Sequence, residues 1–308
     1  MSTDKTVNIR DILNHPWKKL VLFQDLIKWD KTWASLDTLE DTEEAIKYYL
    51  SLTDFGPFNG GYLFVYGILQ ALILQQDALN NLVFALFGEK IDLKNKYPEL
   101  YKIREHRNNS IGHPTKRGND NSFHMIGRHS ISKKGFALLS YYPNTGEETK
   151  LEDICILECI ESQEKLLNKI LSKTMDELKN ELNKHKSKFK GDKIKDKIPN
   201  SFDYHVSKLY EHIYRDYPNV KMDFKIVNET FQNIKIEVER RYFKVDALNG
   251  LDHTIKILEY IINRLENTLI DNKIQDEYEL LIFIDALKQN SKELFEMVEE
   301  IDKDFGYI

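Results

Sequence analysis

The sequence predicts a mainly α-helical chain folded as two domains. Three observations point there. Glycine and proline are scarce, at 13 and 7 in 308 residues. The apolar residues recur mostly at spacings of three and four, the period of a helix face. A chain of this length with 41% hydrophobic residues can bury one large core or two ordinary ones, and two domains is the expectation.

The elements follow in order. Apolar periodicity predicts helices over residues 16–34 and 39–52. The run Phe55-Gly-Pro-Phe-Asn-Gly-Gly61 interrupts the pattern, and helices resume over residues 59–87 and 96–111. Residues 122–143 change character: Phe123-His-Met-Ile126 and Gly135-Phe-Ala-Leu-Leu-Ser-Tyr-Tyr142 are short, apolar and aromatic, which predicts a small β-hairpin. A long helix follows over residues 151–185, with Ile156, Ile160, Leu167, Leu171, Leu178 and Leu182 on one stripe.

Residues 184–197 hold seven lysines and two aspartates without apolar periodicity. They read as a solvated linker. The expected division is a helical domain over residues 1–185, a Lys-rich linker over 186–200 and a helical C-terminal domain over 201–308. In the last, Tyr204, Tyr210, Tyr214 and Tyr217 mark a tyrosine-rich helix. Leu251, Ile255, Leu258, Ile262, Leu265 and Leu269 form one apolar seam. A second runs through Leu280, Ile284, Leu287, Leu294, Val298 and Ile301, with Ser291 as its one polar member. Joined by residues 271–276, the seams predict an antiparallel helical hairpin that packs within the chain.

Charge and cysteine content narrow the function classes. With 44 Lys and Arg against 50 Asp and Glu, the net charge is −6, which argues against a surface that coats nucleic acid or anionic membrane as a whole. Any basic site must be local. Cys155 and Cys159 lie four apart on an expected helix, poorly placed to pair with each other, and read as small core residues of a protein in a reducing compartment. The N-terminal residues do not resemble a signal peptide, and the apolar run over residues 62–74 is too short to span a bilayer. The expectation is a soluble cytoplasmic protein.

The local basic site is the segment REHRNNSIGHPTKR, which places Arg104, His106, Arg107, His113, Lys116 and Arg117 within residues 104–117. Gly112 and Pro114 end the helix near Ile111. His113 then sits on the turn beyond it, free to converge with the long side chain of Arg107. Asn108-Asn109-Ser110 is a poor helical segment, since such side chains compete for their own backbone. Local propensity is violated where the cationic groups gather, as functional sites tend to do.

The run Arg107-Asn108-Asn109-Ser110-Ile111-Gly112-His113 resembles the RNxxxxH motif of the HEPN family (higher eukaryotes and prokaryotes nucleotide-binding). The context is similar too, because the motif ends an amphipathic helix that follows a long apolar one and precedes another. The resemblance covers residues 16–185; the hairpin at 122–143 looks like an insertion, and residues 201–308 have no counterpart. It implies a HEPN-like helical bundle and a metal-independent endoribonuclease of toxin or antiviral-defence type, a homodimer whose two motifs share one cleft. In that role His113 transfers protons, as an imidazole titrating near ~6.5 can. Arg107 presents its fork to phosphate oxygens, and Asn108 orients the histidine or the phosphate. Arg104, His106, Lys116 and Arg117 hold the RNA. The resemblance calls for no cofactor, and it implies an antitoxin or regulatory protein as a further partner.

Other readings stand beside it. A HEPN-like bundle can bind nucleotide, RNA or protein through the same patch without cutting. Arg107 can pair with an acid on a neighbouring helix while His113 caps the helix end. His106, His113, His124 and His129 are a poor metal set, with no cysteine near them and His124 and His129 five apart on an expected strand. Gln70, Asp77 and Asn81 share a face of the long apolar helix, where a solvent-facing stripe is favoured over a role behind the site.

Overall fold

The computed structural model describes residues 2–115, 122–143, 148–215, 218–242, 249–269 and 277–306. The chain is mainly helical, with one small antiparallel sheet. It divides into two compact units: residues 1–13 with 22–179, and residues 14–21 with 180–308. The polypeptide therefore passes from one unit to the other three times.

Unit 1 opens with α1 (Ser2–Asn14), a polar helix without a sequence signature that nonetheless buries Ile9 and Leu13 completely. After α2 (Pro16–Phe23), which begins in unit 2, comes α3 (Leu26–Ser51). The expected helices at 16–34 and 39–52 are thus redrawn. The break falls at Asp25, whose carboxylate accepts the Lys28 N–H as an N-cap. No break occurs near residue 36, because Ser35 and Thr38 return their hydroxyls to the carbonyls of Lys31 and Ala34 and stay helical. A kinked turn at Pro57–Gly61 leads into α4 (Tyr62–Phe87). The short α5 (Leu93–Lys96) and α6 (Pro98–Arg107) follow.

Next come β1 (Phe123–Ile126), β2 (Gly135–Tyr141) and β3 (Lys150–Cys155), paired antiparallel in that order. The register sets Phe123 opposite Tyr141 and Phe136 opposite Ile154. The expected hairpin is therefore two strands of a three-stranded sheet. The long helix, α7 (Ile156–Ser187), starts at 156 rather than 151 because residues 150–155 complete the sheet. Gly135 makes this pairing possible: a Cβ there would lie 1.9 Å from the Ile154 carbonyl oxygen. Lys133 ties the sheet to α3, its ammonium donating to the carbonyls of Leu50 and Leu52 and its carbonyl accepting the Tyr49 hydroxyl.

The core of unit 1 is built on the inner side of α4, where Val65, Ile68, Leu69, Leu72, Leu79 and Leu82 are almost wholly buried. Each such side chain contributes about 1.5–3 kcal/mol by leaving water. A buried amide cluster fixes the neighbours of α4. Gln163 of α7 donates to the Leu72 carbonyl at 3.0 Å and to Gln75 Oε1 at 2.8 Å. Gln76 donates to Gln163 Oε1 at 2.8 Å and to the Leu100 carbonyl of α6 at 3.1 Å. The bonds specify how α4, α6 and α7 align, since misalignment would strand buried amides. By length and composition the segment Pro57–Phe87 is apolar enough to cross a membrane, and 39% of its most apolar window is buried inside the protein. That segment is longer than the 62–74 run weighed from sequence.

Unit 2 contains most of α2, the end of α7, α8 (Phe202–Tyr214), α9 (Val220–Tyr242), α10 (Asn249–Leu269) and α11 (Glu277–Asp304). Both expected seams lie in its core. Arg264 pairs with Glu279, and Thr254 reaches Glu293, so α10 and α11 run antiparallel as expected. Their connection, like Tyr217, lies outside the described residues. The Lys-rich segment is not a solvated linker. Phe189 and Ile194 are buried in this core, and Asp302 accepts the Ile194 and Lys195 N–H groups at 3.0 Å each. Arg241, fully buried, donates to Glu237 and to the Asp192 carbonyl and lies over the rings of Phe189 and Phe305 at 4.8 and 5.6 Å. Lysines on its solvent side hid two anchors spaced five apart.

Candidate functional site

The site is built from the end of α6 upward. Leu100, Ile103, His106 and Ser110 follow one another at spacings of three and four and are buried, so this face points into the core of unit 1. That disposes of His106 as an RNA ligand. Its ring is buried, burial pushes its pKa down, and Glu152 lies 3.9 Å away, pulling the other way. Arg104 and Arg107, both half-buried, flank that face and reach α4.

Beyond Arg107 the helix widens. Ser110 gives its hydroxyl to the His106 carbonyl at 2.6 Å, and the His113 N–H reaches back five residues to the Asn108 carbonyl at 2.7 Å. Side chains that bond their own backbone loosen an α-ladder, and one-turn widenings of this kind gather at functional sites. His113 thereby caps the helix end through its backbone while its side chain is exposed. The cap alternative holds for the main chain only. Among the described residues the imidazole has no hydrogen-bond partner. The next residue, Pro114, accepts the His124 N–H at 2.8 Å, which fastens the turn to β1.

The two arginines are neutralised differently. Arg104 pairs with Asp77 of α4 at 2.5 Å. Arg107 meets no acid among the described residues. Its Nε and Nη2 donate to Gln70 Oε1 at 3.2 and 2.9 Å, and its Nη1 donates to Asn108 Oδ1 at 3.2 Å. Two neutral amides therefore aim the guanidinium, and no carboxylate among the described residues offsets its charge. The ion pair weighed for Arg107 forms one turn earlier, on Arg104. Gln70 and Asp77 are thus not an idle solvent stripe, although Asn81 is exposed as that reading expected.

Gly112 completes the geometry. A Cβ on it would come within 2.8 Å of Arg107 Nη1 and 3.4 Å of Asn108 Oδ1. The guanidinium therefore lies against the backbone one residue before His113. Glycine is needed here for that close approach and not for a left-handed φ, since Gly112 is not among the positive-φ glycines. No family model, curated protein or solved structure matches the chain.

The remaining expected residues scatter. Lys116 and Arg117 lie outside the described residues. His124 is buried in the sheet between the hydroxyls of Ser140 and Ser122, at 2.9 and 3.2 Å, and His129 is exposed on the short helical turn Arg128–Ser130, not on a strand. Among the described residues no three His, Cys, Asp or Glu side chains are grouped as metal ligands. Cys155 and Cys159 are free thiols, and burial pushes Cys159 up to about 11, which makes it a poor nucleophile. From sequence, a role for Gln70 behind the site ranked below a solvent-facing stripe; its spacing of seven from Asp77 was the available signal.

Proposed function

We propose that the chain is a metal-independent endoribonuclease of HEPN type, acting in the cytoplasm in toxin or antiviral defence, and that it cuts RNA as a homodimer. The observation that carries this reading is the Arg107 guanidinium, aimed by Gln70 and Asn108 with no carboxylate partner among the described residues, and lying against the backbone of Gly112, the residue before the exposed His113. A phosphate oxygen would complete what the two amides leave open, because a carboxylate-free arginine keeps its attraction for an anion.

In the proposed reaction one His113 removes the 2′-hydroxyl proton as that oxygen attacks the adjacent phosphorus. The P–O5′ bond breaks, and the second protomer's His113 protonates the leaving oxygen. The two Arg107 side chains stabilise the charge on the phosphorane. One chain supplies only one such pair, which is why the reading requires two. The outward side of α4 supports it: Leu63, Tyr66, Leu74 and Phe84 are exposed on the same stripe as Gln70 and Asp77. A two-fold contact along this stripe would hide apolar surface and set the two motifs side by side.

The test is incubation of total RNA in EDTA with wild type, Arg107→Ala and His113→Ala. Wild type should leave 2′,3′-cyclic phosphate ends, and both variants should be inactive while melting within a few degrees of wild type. Strict Mg²⁺ dependence refutes the mechanism. RNA that is retained but left intact identifies a non-catalytic binding module instead.

A further inference from the structure

Unit 2 carries a second polar constellation, at the start of α8. Ser201 is the residue before the helix, where a serine ordinarily turns its hydroxyl onto the first-turn N–H groups, yet it makes no capping bond. The hydroxyl lies instead 3.2 Å from His205 Nε2. The other ring nitrogen, Nδ1, lies 2.6 Å from Asp223 Oδ1 on α9. Asp223 is 4% exposed and its second oxygen has no partner. A carboxylate can only accept, so Nδ1 carries the ring proton and leaves the Nε2 lone pair facing the serine. Ser201 itself is exposed. The sequence shows none of this, because Ser201 and His205 are one turn apart and Asp223 is on another helix.

The surroundings suit an acyl group. The Asp203 and Tyr204 N–H groups, in the first turn of α8, have no acceptor among the described residues and point toward the Ser201 end of the helix. Asn200 and Phe202, on either side of Ser201, line a cleft of about 880 Å³. Its lining joins the apolar Ile198 and Phe295 to the charged Asp196, Asp203, Lys288 and Lys292.

We propose that Ser201, His205 and Asp223 form a second catalytic site, separate from the Arg107 motif, that hydrolyses carboxylic esters whose apolar part enters this cleft. Ser201 Oγ attacks the carbonyl carbon and passes its proton to His205 Nε2. The free N–H pair receives the oxyanion. The ester C–O bond then breaks, and His205 returns the proton to the departing alkoxide. Water repeats the cycle on the acyl-serine and releases the acid. Asp223 is a positioning residue that fixes the imidazole tautomer.

The full chain is treated with a fluorophosphonate, which transfers its phosphonyl group to an activated serine with loss of HF, and is read by intact mass and peptide mapping. One adduct is expected, on Ser201. Ser201→Ala should abolish it, and His205→Gln should slow it at least ~100-fold, as loss of a general base does. Release of p-nitrophenolate from p-nitrophenyl acetate should fall in parallel and follow a single ionisation with pH. A wild-type chain that takes no adduct on Ser201 overturns the proposal, as does labelling at an unchanged rate in His205→Gln; either result leaves the cluster a structural clamp.

Discussion

Changing Gln70 to Glu separates the two things Arg107 can be. The substitution keeps the shape of the side chain that holds the guanidinium and adds one negative charge. At the observed 2.9 Å, a unit charge pair is worth roughly 6 kcal/mol at an effective dielectric of ~20. Both partners are half-buried, so desolvation and screening leave a net gain of about 0.5–1 kcal/mol. Gln70→Glu should therefore melt a few degrees higher than wild type. The same charge cancels what Arg107 offers a phosphate: kcat/KM on RNA should fall ~100- to 1,000-fold, as when one pre-organised stabiliser of transition-state charge is lost. The salt dependence of RNA binding should lose about one unit of slope per site. The assays are a thermal melt, a cleavage time course and a binding titration over a range of salt. Opposite signs in melt and activity are the signature. A variant that is stabilised yet cleaves at the wild-type rate refutes the assignment of Arg107 to phosphate and leaves it a structural residue.

Gly112→Ala should cost under ~1 kcal/mol, because a flexible guanidinium yields to the new methyl group, but displacing that group should lower cleavage at least ~10-fold at an unchanged fold; wild-type activity would show that the close approach is incidental. Gln163→Leu removes an amide that ties α7 to α4 and strands Gln75 and Gln76, so urea unfolding should show about 1–3 kcal/mol less stability, and a neutral result would mean the amides re-pair. Unit 2 should weaken on acidification in two stages. Burial lowers the pKa of His185, which resists protonation, so stability drops below the unfolded imidazole's ~6.5. Burial alone would raise Asp304, but bonds from His15 and Lys186 outweigh it and hold the carboxyl at about 2; it favours folding above its unfolded value and loses that contribution, about 1 kcal/mol after screening, between about pH 4 and 2. Urea unfolding at pH 7, 5 and 3, followed through Trp17 stacked on His185 in a Trp29→Phe, Trp33→Phe background, should show both steps, and stability that is flat or rises toward acid refutes them.

Helical class and the α10–α11 hairpin could be read from apolar spacing, because a helix face repeats visibly over five or six turns. The same alternation runs through Val220, Phe224, Val227, Phe231, Ile234 and Val238, so α9 was readable as well. The third strand was not. Leu151 and Ile154 precede the helical stripe at a spacing of three that a helix also allows, and only pairing with β2 selects the strand. α1 hides for the opposite reason, with two buried aliphatics among polar residues. At the site, the arginine and histidine stood out through residue type and poor helix propensity. Their control did not, since a glutamine that aims an arginine and one that faces water occupy the same helical stripe. The Ser201 cluster depends on a tertiary contact between α8 and α9 that no local pattern encodes.

The interleaved order of the two units has a consequence for synthesis. Trp17 and Leu20 leave the ribosome about 160 residues before the helices they pack with in unit 2. At about 5–20 residues per second, roughly 8–30 seconds pass before the first of those partners begins to be made. The Arg107 motif is made within that interval, while Trp17 and Leu20 of α2 still lack the core they pack into. A nascent chain stalled after residue 179 should therefore present α2 to chaperones or to protease, and release of the full chain should withdraw it.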